Sequence, residues 1–212
     1  MKVGVLGSGQ VAKVLAKAFL DTGHEVMLGS RDASKVAGWS DHEQAKAGTF
    51  AETAAFGSVV VLAVKGTVAE DAVKLAGVEN LAGKTVIDAT NPIADAPPVN
   101  GILQYFTGPN ESLMERLQKT APDANFVKAF SCVGNAFMFR PNFPGGPPTM
   151  FICGNNDGAK AEVQGILKDF GWDYEDVGKV EGARAIEPLC QLWCARGFLH
   201  GKWQHAFKTL TP

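Results

Sequence analysis

Near the amino terminus, two glycines stand at a spacing that lets a backbone approach a phosphate group. An apolar run, Val3 to Leu6, is followed by Gly7-Ser8-Gly9 and then by apolar residues at helical spacing, which predicts a strand, a tight turn and a helix. In that context G-x-G-x-x-G/A is typical of pyrophosphate binding, and Ala12 fills the last position. Gly7 permits the turn, Gly9 admits the phosphate, and the amino end of the helix supplies free N–H groups.

The second predicted strand ends in Ser30 and Arg31, where NAD-binding proteins carry an acid that accepts hydrogen bonds from the adenosine ribose. Ser30 offers a hydroxyl, Arg31 offers a planar fork of donors that suits phosphate, and Lys35 adds a second cation. These residues favour a 2′-phosphate, and therefore NADP(H) rather than NAD(H). The alternative is that Arg31 is an ordinary solvated surface arginine. The upstream glycine motif favours the cofactor interpretation over this alternative.

Composition limits the class of protein. At 212 residues, the chain allows one large domain, or a nucleotide-binding domain with a small extension. A net charge of −2 gives no basic surface for nucleic acid and no polybasic membrane anchor. The four cysteines are too few for a disulfide scaffold, and no apolar run is long enough to span a bilayer. We therefore expect a cytoplasmic protein with reduced thiols and neither nucleic-acid nor membrane partners.

Further along the chain, short apolar runs alternate with helix-like segments. Strands are predicted at 59–64, 85–90, 125–130, 149–154 and 172–177. Helices are predicted at 33–46, 51–56, 67–76, 157–170 and 182–210. The alternation predicts an α/β fold: a Rossmann-type, doubly wound, mostly parallel sheet with a small helical C-terminal extension. We expect residues 1–155 to form the nucleotide-binding domain. Residues 156–212 would form an extension that packs on the sheet and completes the substrate pocket.

Two connections are too long to be plain turns. Residues 91–110 and 131–148 each leave the carboxyl end of a predicted strand, which is where open α/β sheets bind ligands. Both segments carry aromatic residues that would line a pocket for a planar ring: Tyr105, Phe106, Phe137, Phe139 and Phe143. The alternative for each of them is that it only covers the edge of the sheet.

Four potential metal ligands lie near the carboxyl terminus: Cys190, Cys194, His200 and His205. The two cysteines are four residues apart, which places both thiols on one face of a helix. However, the close C-x-x-C pair of structural zinc sites is absent, and free cysteines commonly pack as small apolar residues. We therefore expect no metal site and assign these residues to packing.

The motifs taken together resemble a known family. Gly7-x-Gly9-x-x-Ala12, “GSR” at 29–31 with Lys35, and “VKAF” at 127–130 followed by “VGN” resemble the NADPH-dependent reductases of the deazaflavin coenzyme F420. More distant similarity is to the N-terminal domain of pyrroline-5-carboxylate reductase and to the oxidoreductase domain of the six-transmembrane epithelial antigen metalloreductases. The resemblance covers most of residues 1–155. Family members commonly read “KAFN” where this chain has Ser131.

The resemblance implies a set of cofactor-binding residues, grouped here by the part of NADP(H) that each would contact. The pyrophosphate would lie on Gly7, Ser8, Gly9, Gln10 and Val11, and the 2′-phosphate would lie on Ser30, Arg31 and Lys35. The ribose and nicotinamide side would be bordered by Ala63, Val64 and Lys65, and the nicotinamide would be approached by Asn91 and Pro92. The reacting rings would be faced by Lys128, Phe130 and Ser131. For Lys65 and Lys128 the alternative is a solvated charge at a strand end.

The implied activity is hydride transfer between NADPH and a small-molecule redox acceptor with a planar ring. A deazaflavin is the first candidate, followed by a flavin, a quinone, a ferric chelate or a cyclic imine. Positioning alone can supply much of the rate, and the cofactor carries the chemical step, so no catalytic residue is named. We also expect a homodimer. The competing class is a non-enzymatic NADP(H) sensor, whose nicotinamide face would be filled by side chains.

Overall fold

Eight strands form one sheet in a computed structural model that describes residues 1–36, 38–39 and 43–212. The strands are β1 (Lys2–Leu6), β2 (Glu25–Gly29), β3 (Ala45–Gly48), β4 (Val59–Leu62), β5 (Thr85–Asp88), β6 (Asn125–Lys128), β7 (Thr149–Gly154) and β8 (Asp173–Asp176). Their order in the sheet is β3-β2-β1-β4-β5-β6-β7-β8. All neighbouring strands are parallel except β6 and β7. The first six strands thus have the Rossmann order, and the predicted fold class is confirmed.

Helices cover both faces of this sheet. They are α1 (Gln10–Asp21), α2 (Phe50–Phe56), α3 (Ala69–Ala76), α4 (Val78–Leu81), α5 (Leu113–Thr120), α6 (Asp157–Asp169), α7 (Ala183–Ile186) and α8 (Pro188–His200). Strand β4 shows the reason: Val59 and Val61 belong to one hydrophobic core, whereas Val60 and Leu62 belong to the other. Successive strand side chains point to opposite faces, so a strand buried on both faces must be uniformly apolar.

Most predicted elements are present, but two predicted helices need correction. Within 33–46, the structure has a short 3₁₀ turn at Ala33–Lys35 and then the edge strand β3, which pairs with β2; residues 37 and 40–42 lie outside the described residues. The helix predicted over 182–210 is broken into α7 and α8 and ends at His200. Gly201 stops it because its left-handed backbone, at φ 66°, closes the helix.

Helix α5 was missed, although the sequence carries its start signal. Ser112 accepts a hydrogen bond from the N–H of Glu115, and the Glu115 carboxylate accepts one from the N–H of Ser112. This reciprocal pair is a capping box, which fixes the amino end of a helix. Its position matters for the site, because α5 begins beside the carboxyl ends of β5 and β6.

The carboxyl-terminal segment returns to the sheet. The N–H of Thr149, at the start of β7, donates to the carbonyl of Phe207, and the N–H of Thr209 donates to the Thr149 hydroxyl. Strand β8 and helix α6 also belong to residues 156–212, yet β8 joins the same sheet as residues 1–155 and α6 packs in the same core. The division at residue 155 stays a prediction. Among the described residues, no helix is both long and apolar enough to cross a membrane.

Candidate active site

The turn after β1 is built for a phosphate. Gly7 has φ 139°, its N–H donates to the carbonyl of Gly29, and a Cβ there would overlap the carbonyl oxygen of Ala63. Only glycine fits that position. A Cβ on Gly9, the N-cap of α1, would meet nothing within 4 Å. The amino end of α1 therefore faces open space that a side chain would occupy, which fits an anion held by backbone N–H groups.

A cleft of about 440 Å³ opens above this turn, at the point where the strand order reverses between β1 and β4. Its lining includes these predicted cofactor-binding residues: Gly7, Ser8, Gly9, Ser30, Arg31, Lys35, Ala63, Val64 and Lys65. Gln10 and Val11 form the first turn of α1 beside it. The structure thus brings together residues from three segments of the chain, and their contact with a cofactor stays a prediction.

Two cations stand at the β2 end of the cleft. Arg31 and Lys35 are exposed, and neither forms an ion pair with any residue that the structure describes. Ser30 is buried, and its Oγ accepts from the N–H of Asp32. This corner fits a 2′-phosphate, because an arginine fork and a second cation lie side by side there.

Asp32 also lines the cleft, and the sequence reasoning overlooked it. Its carboxylate accepts from both the hydroxyl and the N–H of Ser34, and these bonds lower the pKa of Asp32. The Asp32 carboxylate is therefore held by hydrogen bonds within its own turn. An acid directly after “SR” was the signal available in the sequence.

The cleft also has an apolar side that was not predicted. Val68, Ala72 and Leu75 belong to α3 and the turn before it, and Leu75 is largely exposed. Phe50 adds an aromatic ring from α2. An exposed leucine beside two exposed cations is suited to a flat ring that carries a nearby phosphate.

At the carboxyl ends of β5 and β6, the loops that follow these strands are joined. The Asn91 side chain donates from Nδ2 to the Ser131 carbonyl at 2.8 Å. Asn91 Oδ1 and Ser131 Oγ are both buried, and neither has a hydrogen-bond partner among the residues that the structure describes. The Asn91 carbonyl also packs on Gly66, just after the cleft residue Lys65, where a Cβ would overlap it. Buried polar atoms without partners are rare and costly. These two oxygens therefore suit a ligand that supplies hydrogen-bond donors.

Lys128 does not meet the expectation that it faces the reacting rings. Its side chain is 0% exposed, and Nζ lies 2.7 Å from Asp88 Oδ2 and 3.0 Å from Glu187 Oε1. Nζ also donates to the Thr90 carbonyl at 2.9 Å. Burial alone would lower the pKa of Lys128, but the charges of Asp88 and Glu187 outweigh it and raise that pKa. The Lys128 ammonium is thus enclosed by protein atoms. Lys128 is therefore not a solvated charge at a strand end.

Phe130 departs from its expected place as well. Its backbone has φ 62°, and its ring is buried against Phe170. Its side chain therefore belongs to the core, so only its backbone could border a bound ring. Among the loop aromatics, Phe139 likewise packs on Phe170. Phe137 and Phe143 contact each other in the second loop.

Glu187 is the main residue that sequence reasoning missed. It precedes α8, is 2% exposed, and its carboxylate accepts from the N–H groups of Leu113 and Met114 at the start of α5. Its backbone carbonyl accepts from the Tyr105 hydroxyl. Nothing near Glu187 in the sequence signals this role, because its partners Tyr105, Leu113, Met114 and Lys128 all lie far from it along the chain.

Of the four potential metal ligands near the carboxyl terminus, Cys190 and His205 are buried. The His205 ring stacks on Trp193, with 4.9 Å between ring centroids, and is 9% exposed. Cys190 is buried and Cys194 half-buried. Within the part of the chain that the structure describes, no three His, Cys, Asp or Glu side chains converge as metal ligands.

The fold and the cleft define the class of protein. It is a Rossmann protein whose glycine turn and two neighbouring cations suit NADP(H). Residues 2–92 match the family model described as NADP oxidoreductase, coenzyme F420-dependent. A crystal structure from Arthrobacter sp. FB24, assigned as an F420-dependent NADP reductase, is 33% identical and superimposes with a TM-score of 0.92 over 100% of both chains. The chain belongs to this family and is an NADP-dependent oxidoreductase.

More distant relatives share part of the chain. Metalloreductase STEAP3 of Rattus norvegicus is 30% identical over 190 residues, which are 89% of this chain and 36% of that protein. Metalloreductase STEAP2 of Homo sapiens is 29% identical, over 88% of this chain and 35% of that protein. The chain thus spans little more than a third of these relatives. An imine reductase of Streptomyces aurantiacus, 17% identical over 91% of this chain and 61% of its own, shares the fold with a TM-score of 0.67.

Proposed function

We propose that this protein transfers hydride between NADPH and a planar redox acceptor, with a deazaflavin coenzyme as the first candidate. The observation that carries the proposal is the cleft between β1 and β4. It joins the exposed cations Arg31 and Lys35 to the open space at Gly9 and ends at Lys65. Asn91, which carries one of the two buried oxygens described above, packs on Gly66, the residue after Lys65. This chemistry suits a dinucleotide with a phosphate at one end and an amide at the other.

Different groups of residues would bind different parts of NADP(H). The Gly7–Val11 turn would hold the pyrophosphate, and Ser30, Arg31 and Lys35 would hold the 2′-phosphate. Ala63, Val64 and Lys65 would border the ribose, and Asn91, Pro92 and Ser131 would fix the nicotinamide end. Bound NADPH supplies the hydride, so the chain's own task is to orient its ring and keep water away.

The acceptor would enter between the two long loops. These loops offer Tyr105, Phe106, Phe137 and Phe143 within a region that carries few charges. That chemistry favours a flat ring over a small anionic acid that needs an arginine clamp. Residues 156–212 would complete the pocket, because Tyr105 is bonded to Glu187 and Trp193 packs against Gly134 in the second loop.

A turnover screen tests this proposal. The purified protein would be mixed with NADPH and, in turn, a deazaflavin, a flavin, a quinone, a ferric chelate and a cyclic imine. We expect the fastest NADPH oxidation with the deazaflavin and a much slower rate in the Gly9→Ala variant. Faster turnover of another acceptor would replace the deazaflavin. Tight NADPH binding without reduction of any acceptor would favour a non-enzymatic sensor.

We further propose a cytoplasmic homodimer. Its support is an apolar surface formed by the outer side of α8 and the tip of the first loop. This surface, called the α8 surface here, comprises Val99, Ile102, Leu192, Phe198, Leu199 and Trp203, all of them exposed. The two parts are continuous, because Gly101 packs directly on Leu199. Exposed apolar patches of this kind commonly mark protein interfaces. The four cysteines are all free, as expected in a reducing compartment.

A further inference from the structure

Three charged side chains are buried together at the carboxyl ends of β5 and β6. Asp88 and Lys128 are neighbours in the parallel register, and Glu187 joins them from the start of α8. Lys128 Nζ forms ion pairs with the Asp88 and Glu187 carboxylates and donates a hydrogen bond to the Thr90 carbonyl. A buried charge is tolerated only when it is paired and fully hydrogen-bonded. This group, called the Lys128 cluster here, pairs its one ammonium with both carboxylates.

The Lys128 cluster reaches the site through one turn. Asp88 Oδ1 accepts from the N–H of Thr90 at 2.9 Å and from its hydroxyl at 2.6 Å, while Lys128 binds the Thr90 carbonyl. Every polar group of Thr90 is thus held by the cluster. The next residue is Asn91, whose Nδ2 is held by the Ser131 carbonyl. The cluster therefore determines where the two unpartnered oxygens, Asn91 Oδ1 and Ser131 Oγ, are placed.

The cluster has one more carboxylate than it has cations, and helix α5 offsets the excess. The Glu187 carboxylate accepts from Leu113 and Met114 N–H groups, at the positive end of the helix. The Glu187 backbone carbonyl also accepts a hydrogen bond from the Tyr105 hydroxyl. The carboxyl-terminal segment is therefore bonded both to the Lys128 cluster and to the first loop.

We propose that Lys128 is a positioning residue, which holds Asn91 Oδ1 and Ser131 Oγ to accept the two N–H donors of the nicotinamide carboxamide. The inference rests on the proposed function, because it concerns the nicotinamide end of the same cleft. Two buried acceptors match an amide NH₂, which offers two donors. A ligand that lacks this NH₂ leaves both oxygens buried and unpaired, which is the costly outcome.

The test compares three ligands by calorimetry: NADP⁺, its 3-acetylpyridine analogue, and adenosine 2′,5′-bisphosphate. The analogue replaces the amide NH₂ with a methyl group, and the bisphosphate lacks the nicotinamide. In the unmodified protein we expect NADP⁺ to bind roughly 5- to 150-fold more tightly than the analogue. Lys128→Met should bring that ratio close to one and leave bisphosphate affinity unchanged. The matched control is Lys119→Met, at an exposed lysine of α5, which should leave both unchanged.

Two further variants keep the inference open to refutation if Lys128→Met does not fold. Glu187→Gln preserves volume and leaves Lys128 paired with Asp88, and Ser131→Ala removes one unpartnered oxygen; both should lower the ratio. A ratio near one in the unmodified protein, or an unchanged ratio in the folded variants, would overturn the positioning role and leave the proposed function standing. Failure to bind the bisphosphate would instead overturn the proposed function, and the inference with it.

Discussion

The side-chain amide of Asn91 is hydrogen-bonded to the backbone of Ser131, a residue 40 positions later in the chain. This bond ties together the first residues of the two long loops, beside the end of the cleft that lies nearest Gly66. The loops therefore leave the sheet from a common fixed base. Loops anchored in this way can differ at their tips while the residues at their base stay in place.

Replacing Arg31 should convert the cofactor preference. Hydrogen bonds to a charged group contribute roughly 1.5–3 kcal/mol, so Arg31→Ala should weaken NADPH binding by about 10- to 150-fold. NADH affinity should barely change, because NADH has no 2′-phosphate for Arg31 to contact. Calorimetric titration of both cofactors checks this, with Arg196→Ala at an exposed arginine of α8 as the matched control. Equal affinities for NADPH and NADH in the unmodified protein would contradict it.

The parts of the site that could be predicted from sequence are local. Strand, glycine turn and helix follow one another within residues 3–19, and Arg31 stands directly after the next strand, so short-range patterns were sufficient. The environment of Lys128 was not accessible, because Asp88 and Glu187 approach it from distant segments. A lysine at a strand end looks the same in sequence whether it is solvated, faces a ligand or is buried in a cluster.

The two glycines of the cradle should respond differently to alanine. Gly9→Ala should change stability by less than about 1 kcal/mol, because its φ of −80° suits alanine and its Cβ meets nothing. It should still weaken NADPH binding by roughly tenfold or more, since the Cβ occupies the phosphate space. Gly7→Ala should lower the free energy of unfolding by roughly 1–3 kcal/mol, because of its positive φ and the overlap with Ala63. Denaturant unfolding and calorimetry separate the effects; comparable losses of both properties in the two variants would refute this account of the turn.

Acid should weaken the connection between α5 and α7. Hydrogen bonds from Arg184, aided by Ser112, lower the pKa of Glu115 to about 2. A carboxyl group with a lowered folded-state pKa stabilises the fold above its unfolded value, near 4.5, and that stabilisation is lost as pH falls toward 2. Glu115→Gln keeps the capping box but removes the charge. It should therefore be less stable than the unmodified protein at pH 7, and the two should converge as pH falls below about 4.5. Unfolding curves across this range measure the difference; a gap that does not change with pH would rule out the ion pair as its cause.

Metal removal should have no effect. The His205 ring lies against Trp193, whose Nε1 donates to the His205 carbonyl, so packing accounts for its position. Hydrogen bonding to Cys194, together with burial, raises the pKa of Cys190, whereas the hydrogen bond with Cys190 lowers the pKa of Cys194, so Cys190 is the thiol held neutral. Neutral thiols are poor metal ligands. Elemental analysis should find no stoichiometric zinc, and a chelator should leave the melting temperature unchanged. Zinc at one ion per chain, with lost folding after chelation, would reverse the assignment of Cys190 and Cys194 to packing.

The α8 surface should hold two copies of the chain together. Phe198 and Leu199 are 47% and 54% exposed, on a helix whose opposite side already packs on the protein through Trp193. Leaving such residues in water is unfavourable, whereas pairing them with a second copy buries apolar area on both. Light scattering should therefore give twice the chain mass of 22.4 kDa. Leu199→Asp should shift the protein toward the monomer, because a buried unpaired carboxylate opposes association. Leu210→Asp, at a leucine that is 83% exposed near the carboxyl terminus, serves as the control and should remain a dimer. A monomeric unmodified protein, or a dimer that Leu199→Asp does not disturb, would show that the α8 surface is not the interface.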